Sequence, residues 1–276
     1  MKILVVGDGM LGMAIAEAAR LRSHIVFQTS RKRGSEYYLD MRDLSAVRAL
    51  PDCDWVVGAA AISGYRQCEE SIDAYKVNVV NTIDLADEMM SRGAKFFFPS
   101  STAVFNGDTP FVSPEHNVSP ITTYGKQKVE VESYLKKQQE RSVIVRFSKL
   151  LGAYTGLLSK WLEDINCCRE IKAFTDLTLA PVLLEDAGCA SVRLMEEGAG
   201  GLFHCSGPEE ISYYDFATLL CKAMNRESTL VKAVSCRDIK ELYFSNHSSL
   251  DAKSLEDAIG YVFPPVKELI SKVLSI

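Results

Sequence analysis

Apolar residues fall into two kinds of run along this chain. The first kind is short and β-branched or aromatic: Lys2-Ile3-Leu4-Val5-Val6, His24-Ile25-Val26-Phe27-Gln28, Trp55-Val56-Val57, Phe96-Phe97-Phe98 and Ser142 to Phe147. Unbroken hydrophobicity over so few residues suits strands covered on both faces. The second kind is longer, with apolar residues returning every three or four positions, as in Leu11, Ala14, Ile15, Ala18 and Leu21, in the stretch from Tyr75 to Met90, and in Val131 and Leu135, which continue the face of Tyr124 and Lys128. That spacing lays one stripe along a helix and turns it inward. Strands and helices alternating with short connections predict an α/β fold, a doubly wound and mostly parallel sheet. Past Leu151 the pattern loosens. Helical stretches over Leu157 to Cys168 and Ser212 to Asn225, short strands, and a turn at Pro264-Pro265 before a closing helix predict a smaller mixed C-terminal lobe.

The first crossover carries the first chemistry. Gly7-Asp8-Gly9-Met10-Leu11-Gly12 joins a strand to a helix, which is the setting in which Gly-x-Gly-x-x-Gly binds a dinucleotide. Gly7 allows the tight turn, Gly9 lets the backbone approach a pyrophosphate at the helix N-terminus, and Gly12 permits close helix packing. Met10 and Leu11, inside the loop, are counted with the cofactor site. The acidic residue that usually follows the second strand to hold a ribose 2′-hydroxyl is replaced by Thr29-Ser30-Arg31-Lys32-Arg33. A hydroxyl with three cations suits a 2′-phosphate, so NADP is expected over NAD, with Ser30 and Arg31 as contacts; a solvated basic loop is the plainer reading. Gly58 then leads into Ala59, Ala60 and Ala61, small residues where a ligand can lie close to a strand end, although plain packing would also accept alanines.

A second cluster lies between Phe96 and Lys137. The strand from Phe96 delivers Ser100-Ser101-Thr102 at its end, and a helix begins after Pro120, placing Tyr124 and Lys128 one turn apart on its inward face. A phenol titrates near pH 10, and a neighbouring ammonium favours the phenolate, so the Tyr124 value is expected to be lowered. The Ser101 hydroxyl can bond the same substrate oxygen. A chain of this composition yields roughly 0.7 Tyr-x-x-x-Lys pairs by chance, so the weight comes from the serines upstream and the glycine loop.

Composition narrows the setting. With 276 residues, 47% hydrophobic and 24% charged, the chain has the make-up of a globular protein of one or two domains. No apolar run approaches a membrane span and the amino terminus enters a strand directly, so no membrane association and a cytoplasmic location are expected. A net charge of −5 argues against nucleic acid as a partner. The eight cysteines show no Cys-x-x-Cys and no histidine at ligand spacing, so no metal site is expected and most thiols should be reduced; a redox role for the vicinal pair Cys167-Cys168 is the minority reading. Gly198 to Gly201 reads as a turn, and His204 as a satisfied strand residue.

Together with Asp40-Met41, Val77-Asn78, the run Ser100 to Gly107, Val145 to Ser148, Pro181-Val182 with Glu185-Asp186, Phe203 to Gly207 and Ser248 to Asp251, these motifs span nearly the whole chain. On them the chain resembles the extended short-chain dehydrogenases/reductases, and most closely the dTDP-4-dehydrorhamnose reductase group of sugar-nucleotide enzymes. The resemblance implies a Rossmann-like NAD(P)-binding domain over residues 1–150 and a mainly substrate-binding lobe over 151–276, some of whose segments return to the first domain. It implies Ser101 as catalytic hydroxyl, Tyr124 as proton donor, and Lys128 as its partner, which also holds the nicotinamide ribose. Asp40 and Met41 would flank the adenine, Ala59 to Ala61 would line the cofactor trough, and Asn78 joins the cofactor set. The implied activity is NADPH-dependent reduction of a keto group on a nucleotide-activated sugar. Same-fold alternatives are a sugar-nucleotide epimerase or a non-catalytic NADP-binding regulatory subunit; a 4,6-dehydratase is disfavoured because its Thr-Asp-Glu set is absent at Thr102-Ala103-Val104. A homodimer is a possible assembly. Three departures stand out: a glycine loop one residue shorter than the usual Gly-x-x-Gly-x-x-Gly, Gly58 where the group often has Asn, and Thr102-Ala103 in place of Asp-Tyr.

Overall fold

A computed structural model describes residues 1–32, 34–239 and 245–275. Its strands are β1 (Lys2–Val6), β2 (Ile25–Ser30), β3 (Tyr37–Tyr38), β4 (Trp55–Gly58), β5 (Lys95–Ser101), β6 (Ser142–Phe147), β7 (Lys149–Leu151), β8 (Ile171–Phe174), β9 (Thr178–Leu179), β10 (Pro181–Leu183), β11 (Gly201–Cys205), β12 (Ile211–Ser212) and β13 (Val231–Val234). The helices are α1 (Met10–Leu21), α2 (Tyr65–Glu70), α3 (Ile72–Tyr75), α4 (Asn81–Ser91), α5 (Thr123–Leu135), α6 (Gly156–Asn166), α7 (Leu184–Glu196), α8 (Tyr213–Ala223), α9 (Lys253–Ile259) and α10 (Val266–Leu274).

The unbroken apolar runs become a seven-stranded sheet in the order β3-β2-β1-β4-β5-β6-β11, parallel at every pairing. Alternate residues feed two cores, as the two-residue period of a strand requires. Ile3, Val5, Val57, Phe97 and Val145 pack against α1, α7 and α9, while Leu4, Val6, Val56, Phe96 and Ile144 pack against α4 and α5. β1 has β2 on one side and β4 on the other, so the connections leave in opposite directions and a crevice opens at the carboxyl ends.

From Lys149 onward, β7 pairs with β10, β8 with β13 and β9 with β12, and α6, α8 and α10 close around Trp161, Phe216, Leu220 and Leu269. β11 nevertheless sits at the edge of the main sheet, and α7 and α9 pack on its face. Among the described residues, no helix is long and apolar enough to cross a membrane.

After β3 the chain makes a 3-10 turn, Leu44–Ala49. Two elements differ from expectation. The stretch from Tyr75 to Met90 is interrupted by a π-helical turn, Lys76–Val80, between α3 and α4. Its cause is polar: the Asn78 side chain turns inward to satisfy both backbone groups of Ile62, and Thr82 Oγ1 donates to Val77 O. The vicinal cysteines are not within a helix, because α6 stops at Asn166 and Cys168 adopts φ 53°.

The contact that sets α5 is made by an absent side chain. A Cβ on Gly125 would lie 1.9 Å from the Ala103 carbonyl oxygen, so only glycine lets the first turn of α5 press onto the turn Thr102–Val104. Gly125→Ala should therefore push backbone against backbone and destabilise the protein by about 3 kcal/mol or more. Urea unfolding followed by far-UV circular dichroism checks this; a change below about 1 kcal/mol would show that the contact can relax.

Candidate active site

The crevice beside β1 is built from three strand ends. Gly7 follows β1 with φ +111°, its N–H donating to Thr29 Oγ1 at 3.1 Å, so the glycine turn is anchored to β2. A Cβ on Gly12 would meet the Gly7 carbonyl oxygen at 2.6 Å, whereas one on Gly9 would meet nothing within 4 Å. The loop is thus packed from behind and open in front. Gly9 caps α1 with no side-chain hydrogen bond, so the N-terminus of this twelve-residue helix begins beside the opening without a side-chain cap. These features fit a dinucleotide pyrophosphate.

Gly7, Gly9, Ser30, Arg31, Asp40, Met41, Ala59, Ala60 and Ala61 all line this cleft. So do Asp8 and Arg42, which sequence reasoning missed. Ser30 Oγ donates to Asp8 Oδ2 at 2.7 Å, and Lys32 lies 3.9 Å from the same carboxylate. Arg42 forks onto Asp40 at 2.6 and 3.0 Å, and this hydrogen-bonded pairing holds the Asp40 carboxyl down at about 2. The Arg42 charge is therefore balanced. Arg31 has no hydrogen bond or ion pair among the described residues, and Arg33 lies outside them.

Five residues assigned to the cofactor from sequence do not line this cleft. Met10 is 54% exposed and borders a separate groove with Gly152, Tyr154 and Leu184. Leu11 packs on the core, and Gly12 lies against the back of the glycine turn. Asn78 spends its carboxamide on Ile62 and on Gln127 Oε1 at 2.7 Å, which fixes the segment after β4. Lys128 belongs to the neighbouring site.

That site opens at the end of β5. Ser101 lines a second cleft together with Tyr65, Thr122, Ser148, Lys149 and Tyr213. Ser101 Oγ accepts the Ala103 N–H at 3.2 Å, which orients the hydroxyl and leaves its proton free to donate. Thr122 caps α5 by accepting from Gly125 N at 3.0 Å, so the helix starts where Tyr124 falls on its first turn. The Tyr124 ring lies 6.1 Å from that of Tyr65. Lys128 Nζ is 5.5 Å from the Tyr124 ring centre and 4.4 Å from that of Phe98, and it donates to Pro99 O at 2.7 Å.

The titration of this pair corrects the expectation of a lowered phenol. Burial pushes Tyr124 upward, and Tyr65 and Cys68 reinforce the shift. Burial also lowers Lys128 to about 8, against an opposing pull from Glu132 one turn further on. Enclosure disfavours the charged form of either group, and in the free protein this outweighs their mutual attraction. Tyr124 consequently keeps its proton at neutral pH.

Beneath both groups lies a buried polar cluster. Glu132 on α5 accepts from Ser100 Oγ at 2.6 Å and from Arg146 on β6 at 2.6 and 2.9 Å. Arg146 also lies 3.3 Å from His204 Nε2 on β11 and 4.9 Å from the Phe105 ring centre. Sequence reasoning assigned no role to Glu132, whose signal was a carboxylate on the inward face one turn after Lys128.

The sheet order, the glycine turn and the Ser-Tyr-Lys grouping define an NAD(P)-binding fold of the extended short-chain dehydrogenase/reductase type. The chain belongs to the family of the RmlD substrate binding domain, whose family model matches residues 1–276. It is 23% identical, over 95% of its length and 93% of the relative's, to a probable low-salt glycan biosynthesis reductase of Haloferax volcanii. It is 25% identical, over 92% of its length and 81% of the relative's, to the methionine adenosyltransferase 2 subunit beta of Xenopus tropicalis. Among solved structures, the dTDP-4-dehydrorhamnose reductase of Bacillus anthracis in complex with NADP shares the fold at a TM-score of 0.87, with 23% identity and coverage of 99% of this chain and 98% of that one.

The lowered Lys128 value carries a stability prediction. Because Lys128 titrates at about 8 when folded and at the ordinary 10.5 when unfolded, the unfolded chain binds more protons between those values, so this group makes stability rise with pH there. Below pH 8 its burial costs on the order of 3 kcal/mol. Lys128→Met should thus raise the melting temperature at pH 7 and remove that part of the rise between pH 8 and 10.5. An unchanged pH profile would mean that Lys128 is not desolvated as described.

Proposed function

We propose that this protein is an NADPH-dependent reductase of a keto group on a nucleotide-activated sugar. The observation that carries the reading is the tie of α5 to β5: Lys128, beside the Tyr124 ring, bonds Pro99 on the strand that presents Ser101, next to the crevice lined by the glycine turn at Gly7 and Gly9. The cofactor supplies hydride. The chain's own residues do the rest: Ser101 donates to the carbonyl oxygen and orients it, and Tyr124 passes its proton to that oxygen as it gains negative charge. Lys128 stabilises the phenolate left behind, and its bond to Pro99 O ties the ammonium to the strand that presents Ser101. Gly7, Gly9 and the first N–H groups of α1 would hold the pyrophosphate, and Ala59 to Ala61 leave room beside it. Arg31, the guanidinium of this cleft without a hydrogen bond or ion pair among the described residues, would take the 2′-phosphate. The bound NADP of the Bacillus anthracis enzyme and the reductase description of the Haloferax volcanii relative support this reading.

A second reading, a non-catalytic nucleotide-binding subunit, is favoured by the likeness to the methionine adenosyltransferase 2 subunit beta. Turnover separates the two. With keto sugar nucleotides and NADPH, the wild type should oxidise the cofactor, and Tyr124→Phe should lower turnover by at least about a hundredfold while binding NADPH as before. Comparable rates in the two proteins would remove Tyr124 from the reaction, and absence of turnover across the panel would favour the subunit.

Cofactor choice gives an independent test. A forked, charge-assisted contact from Arg31 to a 2′-phosphate is worth roughly tenfold or more in affinity. Arg31→Ala should weaken NADPH by that factor, leave NADH nearly unchanged, and flatten the salt dependence of NADPH binding. Titration by cofactor fluorescence reads all three; equal wild-type affinities for NADH and NADPH would show the basic loop to be merely solvated.

A further inference from the structure

The cleft that holds Ser101 also holds a charge that the proposed proton transfer does not use. Phe147 pairs with Ser101 across β6 and β5, Ser148 follows, and Lys149 opens β7 opposite Pro181, where the chain leaves the main sheet for the smaller lobe. Its side chain lines the cleft and is the one charged side chain among the described lining residues. Among the described residues the ammonium has no hydrogen-bond or ion-pair partner. It faces the Tyr213 ring, whose centre is 6.0 Å from Nζ, and that ring is braced edge-on by Phe174 at 6.2 Å and Trp161 at 6.3 Å. The neighbouring hydroxyl is already committed, since Ser148 Oγ donates to Ala180 O at 2.6 Å.

Several other enclosed charges among the described residues have an ion-pair partner. Arg146 meets Glu132, Asp186 meets Lys272, and Asp164 meets Lys160 and Arg169. Burial lowers the Lys149 value, and no acidic side chain opposes that shift, in contrast to Lys128 with Glu132. A cation enclosed without a counter-charge costs free energy, and a lysine with a purely structural stem would extend its head into water. An anionic oxygen brought in by a ligand recovers that cost.

We propose that Lys149 is the receptor for an anionic oxygen of the substrate, a phosphate or a carboxylate, held in the same cleft as the carbonyl that Ser101 addresses. The inference rests on the reductase reading only in taking this cleft as the substrate's. The two sources of the charge are the diphosphate of a nucleotide and a carboxylate on the sugar. The braced Tyr213 ring gives the same position an apolar wall, so the site would select an anionic group adjoining a flat or apolar face.

The test is equilibrium binding to the NADP-saturated protein, by calorimetry, with UDP and dTDP against uridine and thymidine, and with glucuronate against glucose. Wild type is compared with Lys149→Met and Lys149→Arg. At least one anionic probe should bind wild type, lose about tenfold or more in Lys149→Met, and be retained in Lys149→Arg, while the uncharged probes do not distinguish the three. Loss confined to the diphosphates identifies the nucleotide as the source, and loss confined to glucuronate identifies a sugar acid. Affinity should also fall as alkaline pH discharges the lysine in wild type, but not in Lys149→Arg. Melting temperatures verify that Lys149→Met is folded. Equal binding of every anion by wild type and Lys149→Met overturns the proposal, as does the absence of anion binding to wild type. No turnover enters this measurement, so failure of the reductase reading would appear separately, as a protein that binds its anion through Lys149 and reduces nothing.

Discussion

The ion pair between Glu132 and Arg146 is the constraint on which the site depends. Its atoms approach to 2.6 Å with side-chain exposures of 1% and 0%, so neither charge has water to fall back on. Such a pair adds little net stability relative to apolar residues, but removing one partner typically costs about 3 to 5 kcal/mol because the other charge is left stranded. Its effect here is geometric. Glu132 belongs to α5, which carries Tyr124 and Lys128; Arg146 belongs to β6, which leads to Lys149; Ser100, bound to the same carboxylate, precedes Ser101 on β5. Three elements therefore share one register. Arg146 extends the tie to β11 through His204, which is kept neutral by burial and by that neighbouring cation, at about 4.

Around this tie the site separates groups by enclosure. Tyr124 and Lys128 both sit where charge is costly, so the phenol keeps its proton and the ammonium holds its own less tightly than in water. A developing negative charge on a nearby oxygen reverses that balance, because it gives both groups a partner at once. Lys149, in the Ser101 cleft and facing the Tyr213 ring, has no ion-pair partner among the described residues.

The cofactor crevice shows a related division among its cations. Arg42 is neutralised by Asp40, and Lys32 lies near Asp8, which also holds Ser30, so the glycine loop contributes a carboxylate that the end of β2 lacks. Among the described residues of this basic run, Arg31 makes no hydrogen bond or ion pair and feels Asp40 only at longer range. Counting charges along the loop does not reveal this, since the compensating acids come from other segments.

The sequence by itself determined what local periodicity and short motifs control. The β-branched runs dictated strands covered on both faces, the glycine spacing dictated the turn after β1, and the offset between Tyr124 and Lys128 dictated one shared helical face, because each depends on residues within a turn or two of one another. Tertiary structure decided the rest. It turned Asn78 inward to fix the segment at Ile62, filled the space at Gly58 with the Phe96 ring, where a Cβ would lie 2.7 Å from that ring, and fitted Gly125 to the Ala103 carbonyl. It also raised Tyr124 where the adjacent lysine alone argued for lowering it, and set Lys149 against the Tyr213 ring with no ion-pair partner among the described residues. Burial and partnership are properties of segments brought together from distant parts of the chain, and no spacing along the sequence encodes them.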